Sequence, residues 1–154
     1  MMKYFKLTEL YRSSTADVRG INNQPDALTI GHLTYLVEFV LDPIREKWAA
    51  PILVSSGYRC PALNKAVGGV ATSMHLQGLA ADIYPKANDI KQRNERLDQL
   101  FDMITEQMPE LPFDKCIFEE NKKTGARWIH ITFNPKNSTS ETARRIVIPY
   151  MEQK

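Results

Sequence analysis

Two long stretches of the chain carry apolar residues at the spacing of an α-helix. In the first, this spacing predicts a core-facing helix over residues 29–48, with Thr29 as N-cap and a kink at Pro43. In the second, Asn88 or Asp89 can cap a helix that ends before two prolines. Both helices are expected to turn one apolar face to a core. The apolar positions are Ile30, Leu33, Val37, Val40, Leu41 and Ile44 in the first stretch and Ile90, Leu97, Leu100, Phe101 and Ile104 in the second.

Shorter apolar runs between turn residues predict strands. A short helix is expected from Pro61 to the Gly68-Gly69 pair, and the turn-rich residues 121–125 predict the loop of a hairpin. Because helices come first and an antiparallel hairpin comes late, we expect an α+β fold with a small antiparallel sheet flanked by helices. The predicted strands are residues 52–55, 80–84, 115–119, 128–133 and 145–148.

Composition narrows the class of protein. The 154 residues include 20 Lys and Arg against 18 Asp and Glu, with 43% hydrophobic and 25% charged residues, which is typical of one globular domain spanning residues 1–154. The net charge of +2, with acidic residues scattered among the basic ones, predicts no nucleic-acid partner. No uninterrupted apolar run approaches the ~18 residues of a membrane span, so we expect no membrane partner. The oligomeric state stays open.

The cysteines and the first residues bear on the cellular compartment. Cys60 and Cys116 lie far apart and outside any CxxC or CxH arrangement, which predicts two reduced thiols. The first six residues are partly basic but contain no apolar stretch long enough for a signal peptide. A cytosolic protein and an already processed one are both compatible with this start.

Three polar residues are candidates for metal binding. His75 enters a segment rich in small residues and Asp82 follows seven positions later, so a turn and a strand can bring both side chains to one point. His130 lies mid-strand, on the face opposite its two isoleucine neighbours. Two imidazoles and a carboxylate suit Zn²⁺ with a fourth position for water. Each histidine could instead be a half-buried, hydrogen-bonded residue, and Asp82 could cap a turn.

Four motifs together resemble a known family. They are Ser56-Gly57-Tyr58-Arg59, the segment from Asn64 to Gly69, Ser73-x-His75-x-x-Gly78-x-Ala80-x-Asp82, and Trp128-Ile129-His130. In this order they resemble the zinc D-alanyl-D-alanine carboxypeptidases of the M15 type, in the small branch found in phages and prophages. The resemblance runs from about Phe5 to Phe133. It implies the α+β fold shared with the vancomycin-resistance dipeptidases and the hedgehog signalling domain, and a Zn²⁺ ion held by His75, Asp82 and His130.

The resemblance also bears on the catalytic base. Many members carry an acidic residue three positions before the last histidine, but this chain has Arg127 there, which cannot take a proton from water. In the phage-type branch the stretch that corresponds to residues 113–119 ends in a glutamate, so Glu119 is the expected base. Glu120 is the weaker candidate, because one step along a strand points its side chain to the opposite face. Both could instead be solvated residues at a hairpin end.

Arg59 and Ser73 are the expected substrate-binding residues. The resemblance gives Arg59 the role of binding a substrate carboxylate, which a guanidinium can hold in bidentate fashion. Ser73 could hydrogen-bond the substrate or simply cap the turn before His75. His32 is expected to be a surface histidine outside the site, and Cys60 to be structural or incidental.

Two functions remain open on this basis. The first is a zinc-dependent peptidase of peptidoglycan stem peptides, either a D-Ala-D-Ala carboxypeptidase or an endopeptidase that cuts nearby, with a zinc-activated water as nucleophile. Such an enzyme would be made in the cytoplasm and reach the cell wall after release. The alternative is a non-catalytic zinc-containing module that binds peptidoglycan or protein on the same fold, which Arg127 in place of an acid keeps open.

Overall fold

Five strands form one sheet with a helical layer on one face. The structure, a computed structural model, describes residues 1–136 and the backbone of residues 146–148. The strand order is β1-β2-β4-β3-β5; the first four strands pair antiparallel, and β5 runs parallel to β3 at the edge. The expected α+β fold is therefore confirmed. The strands are β1 (Ile52–Ser56), β2 (Ala80–Pro85), β3 (Lys115–Glu120), β4 (Arg127–Thr132) and β5 (Ile146–Ile148).

Five α-helices and two short 3₁₀ turns accompany the sheet within the described residues. The turns are Leu7–Leu10 and Met74–Gln77. Helix α5 begins after Asp89, whose side chain accepts a hydrogen bond from the Gln92 N–H at 2.8 Å, as its predicted role as a cap requires. The helices are α1 (Ser14–Arg19), α2 (Ala27–Leu36), α3 (Asp42–Trp48), α4 (Pro61–Ala66) and α5 (Ile90–Gln107).

The predicted helix over residues 29–48 differs from the structure in its start and its interior. It begins at Ala27, and its cap is Asp26, which accepts a hydrogen bond from the Thr29 N–H at 2.8 Å. The π-helical segment Val37–Leu41 then separates α2 from α3, because Pro43 has no N–H to continue the α-helical ladder. The expected kink is thus a local widening of the helix before the proline.

The core lies between the helices and one face of the sheet. Helix α5 packs against β2 and β4, and Ile83, Ile129 and Ile131 on that face are fully buried. The helical run Ala27–Trp48 has 22 residues and contains an 18-residue stretch with a mean hydropathy of 1.2, so by length and composition alone it could cross a membrane. Its apolar composition is explained by the core, where six of its side chains are almost completely buried. These are Leu33, Leu36, Val37, Val40, Leu41 and Ile44.

Candidate metal centre and active-site cleft

The face of the sheet away from the core brings His75, Asp82 and His130 together. Asp82 on β2 and His130 on β4 are paired neighbours in the antiparallel ladder, and His75 lies on the 3₁₀ turn just before β2. Asp82 Oδ1 lies 2.9 Å from His130 Nδ1 and 3.4 Å from His75 Nε2. The donor atoms of all three side chains lie within 4.8 Å of one another.

A backbone hydrogen bond orients His75. Its Nδ1–H donates to the carbonyl oxygen of Gly57 at 2.7 Å, which turns Nε2 toward Asp82 Oδ1. Glycine is required at position 57, because a Cβ there would collide with the carbonyl of Leu10. Gly78, with a φ of 71°, ends the turn that carries His75. The Gly57 carbonyl therefore fixes the orientation of the His75 ring, and Gly78 fixes the turn that carries it.

Asp82 is a buried carboxylate between two imidazoles. Burial by itself would raise the pKa of Asp82, but the hydrogen bonds from His130 and His75 hold that pKa well below its usual range. The carboxylate is therefore ionised at neutral pH and gives the cluster a fixed negative charge.

The chemistry and spacing of the three donors fit a divalent metal ion. A tetrahedral zinc site with bonds of about 2.0–2.1 Å places its donor atoms about 3.3 Å apart, close to the two spacings around Asp82 Oδ1. Nitrogen and carboxylate oxygen are both ligands that zinc accepts. His75 also has the backbone partner on its second ring nitrogen that metal-binding histidines usually have.

Glu119 lies in the same cleft as His75, Asp82 and His130. The cleft has a volume of about 380 Å³. Glu119 Oε2 accepts a hydrogen bond from Trp128 Nε1 at 2.8 Å, across the β3–β4 ladder. Burial raises the pKa of Glu119, while the nearby His130 opposes that rise. The cleft is lined by Arg59, Val70, Thr72, Ser73, Met74, Lys115, Ile117, Thr132 and these site residues.

Glu120 and Arg127 lie outside this lining. They face each other in the β3–β4 register, and Arg127 Nε donates to Glu120 Oε1 at 3.3 Å. The arginine that stands where an acid was expected is thus engaged with Glu120. The structure brings Glu119, not Glu120, into the cleft with the cluster.

Arg59 and Ser73 contact each other at the edge of the cleft. Arg59 Nη2 donates to Ser73 Oγ at 3.4 Å, and Nη1 donates to Ser56 Oγ at 3.3 Å. Burial lowers the pKa of Arg59, whereas the neighbouring Asp82 and Glu119 raise it. Ser73 Oγ also accepts a hydrogen bond from the His75 N–H at 3.2 Å, so it caps the turn and contacts the arginine at once.

Comparison with known proteins gives the family. A family model described as Peptidase M15 matches residues 3–104, about two thirds of the chain. The chain belongs to the peptidase M15 family. The matched region contains His75 and Asp82 and ends before Glu119 and His130, which the fold brings to the same cleft. No curated protein matches the chain.

Several residues of this M15 peptidase position the site without having been predicted from the sequence. The carbonyl of Gly57 orients His75, and Asn23 ties the segment after β1 to the N-terminal part of the chain. Lys115 and Thr72 line the cleft. The signal for Gly57 was its place in the Ser-Gly-Tyr-Arg motif; Asn23 had none, because its partners are distant in the sequence.

The structure also bears on His32 and Cys60, two residues that were expected to lie outside the site. His32 is half-buried, and its Nδ1 lies 2.7 Å from the carbonyl oxygen of Gln77, on the turn that carries His75, although it does not line the cleft. His32 therefore lies outside the cleft, as expected, but it contacts the turn that carries His75. Cys60 caps α4 by accepting the Leu63 N–H at 3.5 Å, and both cysteines are free thiols.

Proposed function

We propose that this M15 peptidase hydrolyses peptide bonds of peptidoglycan stem peptides with zinc as its cofactor, as a D-Ala-D-Ala carboxypeptidase or an endopeptidase that cuts nearby. The observation that carries the proposal is the cluster of His75, Asp82 and His130 with Glu119 in the same cleft. A metal centre beside a partly buried carboxylate is the arrangement that metal-assisted peptide hydrolysis needs.

His75, Asp82 and His130 would hold the ion. Zinc in such a site supplies Lewis acidity, which polarises a carbonyl oxygen and makes water a better nucleophile at neutral pH. The protein's part is to keep the three donors in place. Asp82 does so as a fixed anion on β2, and the Gly57 carbonyl does so by holding the ring of His75.

Glu119 is the base in this proposal. It takes a proton from the attacking water and passes it to the nitrogen of the leaving amine. Its burial raises its pKa, which makes the carboxylate a stronger proton acceptor than an exposed glutamate. Trp128 Nε1, donating to Oε2, holds the side chain against β4 and leaves Oε1 for the proton transfer.

Arg59 is the substrate-binding group. Its guanidinium is held beside the cluster by Ser56 and Ser73 and forms no ion pair within residues 1–136. A charged, preoriented guanidinium without a carboxylate partner suits the carboxylate of a peptide. Ser73 contributes by positioning both Arg59 and the turn of His75.

Hydrolysis of defined muropeptides tests the proposal. The purified protein is assayed as isolated, after dialysis against a chelator, and after addition of zinc, with products identified by mass spectrometry. We expect activity that the chelator abolishes and zinc restores. Binding of muropeptides by the zinc-loaded protein without any cleavage would overturn the proposal in favour of a non-catalytic binding module.

A further inference from the structure

A second cavity, of about 480 Å³, shares Arg59 with the cleft that contains His75, Asp82 and His130. It is bounded by Arg12 and the start of α1, by the end of β1, and by α4. Among residues 1–136, Arg59 is the one that lines both this cavity and the cleft. Its Nη1 contacts Ser56 of the second cavity, and its Nη2 contacts Ser73 of the cleft. The guanidinium therefore forms a wall common to both spaces.

The walls of the second cavity are fixed by hydrogen bonds outside it. The Tyr58 N–H donates to the Leu10 carbonyl at 2.6 Å. Asn23, which is buried, donates to the carbonyls of Tyr11 at 2.7 Å and Tyr58 at 3.0 Å, and accepts from the Cys60 N–H at 2.7 Å. Because these bonds tie the segment before α1 to the segment after β1, the cavity is preformed and does not depend on a ligand to assemble it.

The chemistry of the lining favours an anionic peptide segment. The lining contains two arginines, Arg12 and Arg59, and one acidic residue, Asp17, so the cavity carries an excess of positive charge. Within residues 1–136 neither arginine forms an ion pair. Serine hydroxyls and the small apolar surfaces of Val54 and Leu63 complete the lining, and they suit the backbone and short side chains of a peptide.

We propose that this second cavity is a substrate subsite that binds an acidic part of the stem peptide, with a carboxylate held at Arg12. The inference rests on the proposed function, which it deepens by naming the substrate class: stem peptides with a free carboxylate close to the bond that is cut. Arg12 is then a specificity residue, and Arg59 joins the subsite to the reacting bond.

A pair of substrates tests the subsite. Kinetics are measured on a muropeptide with a free side-chain carboxylate and on the same muropeptide with that carboxylate amidated. Arg12→Gln should raise KM for the acidic substrate about tenfold, the loss expected for one charge-assisted hydrogen bond, and leave KM for the amidated substrate unchanged. Arg19→Gln is the matched control, since Arg19 lies nearby at the end of α1 and is exposed but does not line the cavity. Equal effects of Arg12→Gln on both substrates, or none on either, would overturn the inference.

A binding measurement separates failure of the subsite from failure of the proposed function. Calorimetry with the acidic muropeptide is carried out on Glu119→Gln, alone and combined with Arg12→Gln. Loss of affinity on adding Arg12→Gln supports the subsite, even if the parent protein cleaves nothing and the proposed function fails. Cleavage by the parent with no change in affinity on adding Arg12→Gln would overturn the subsite and leave the proposed function standing.

Discussion

The two walls of the cleft are built in different ways. The sheet wall consists of Asp82, His130 and Glu119 on the neighbouring strands β2, β4 and β3. These strands are joined by continuous backbone hydrogen bonding, and the other face of the sheet packs in the core. The loop wall consists of Arg59, Ser73 and His75, which lie in segments between strands. Single backbone contacts hold that wall, such as the Arg59 N–H to the His75 carbonyl at 3.0 Å.

We expect the sheet wall to carry the residues for hydrolysis and the loop wall to carry those for substrate binding, with one exception. A sheet wall tied to the core keeps the proposed base and two of the proposed metal donors at fixed spacing, whereas residues on loops can change with less effect on the fold. His75 is the exception, because it is a proposed metal donor that belongs to the loop wall. A change in the loop wall that disturbs the hydrogen bond from His75 to the Gly57 carbonyl should therefore also affect metal binding.

Removing the central carboxylate of the sheet wall should have the largest effect. Asp82→Ala leaves two imidazoles without the anion between them, so we expect zinc after dialysis to fall from one per chain to almost none, with loss of hydrolysis. Elemental analysis measures the metal. Asp98→Asn, an exposed change on α5, is the control and should retain zinc. A zinc-replete Asp82→Ala protein would remove Asp82 from the metal site.

Glu119→Gln should separate the base from the metal donors within the sheet wall. The amide keeps the size of the side chain but cannot take a proton, so kcat should fall by at least ~10² while zinc stays bound. Glu120→Gln is the matched control and should cost little activity, because Glu120 is outside the cleft lining. If Glu120→Gln is the more damaging change in steady-state assays, the assignment of the base is wrong.

Gly57→Ala should move the loop wall and leave the sheet wall intact. The added Cβ collides with the Leu10 carbonyl, and the resulting shift displaces the acceptor of His75 Nδ1. We expect zinc affinity, measured by competition with a chelator, to fall about 10–100-fold, as when a metal-binding histidine loses its outer partner. Gly31→Ala adds the same methyl group in open space and should change nothing. Unchanged affinity in a folded Gly57→Ala protein would show that the walls are independent.

Arg59→Lys should affect recognition alone. The lysine ammonium keeps the charge but lacks the two parallel N–H donors with which a planar guanidinium binds a carboxylate. We therefore expect kcat/KM for carboxylate-bearing substrates to fall about tenfold, nearly as far as with Arg59→Ala. Zinc content should stay at the parent level. Parent-like activity of Arg59→Lys on an acidic muropeptide would exclude the proposed role.

The sequence predicted the sheet wall better than the loop wall, for a physical reason. Alternation along β4 has a period of two, so the burial of Ile129 and Ile131 places His130 on the opposite face without knowledge of the partners. The same rule separated Glu119 from Glu120. The first four predicted strands and α5 agree with the structure to within one or two residues at each end, because local turn and cap residues bound them. Arg145, the predicted start of the last strand, lies outside the described residues.

The loop wall depends on contacts that no local pattern encodes. The bond from His75 to Gly57 spans 18 residues, and that from Cys60 to Asn23 spans 37. The parallel pairing of β5 with β3 was likewise not foreseen, since a three-residue strand carries no signal of its direction. The π-helical segment was foreseen only as a kink, because Pro43 shows where the ladder breaks but not how it reforms.

The sequence distance between Asp82 and His130, 48 positions, has a thermodynamic consequence. An unfolded chain does not hold these donors together, so an ion that binds the native cluster favours the native state by mass action. Free metal at about 100 times its dissociation constant would add about 2.7 kcal/mol to the free energy of unfolding. The melting temperature of this protein should therefore rise with the logarithm of free zinc concentration, so that its thermal stability depends on the zinc available.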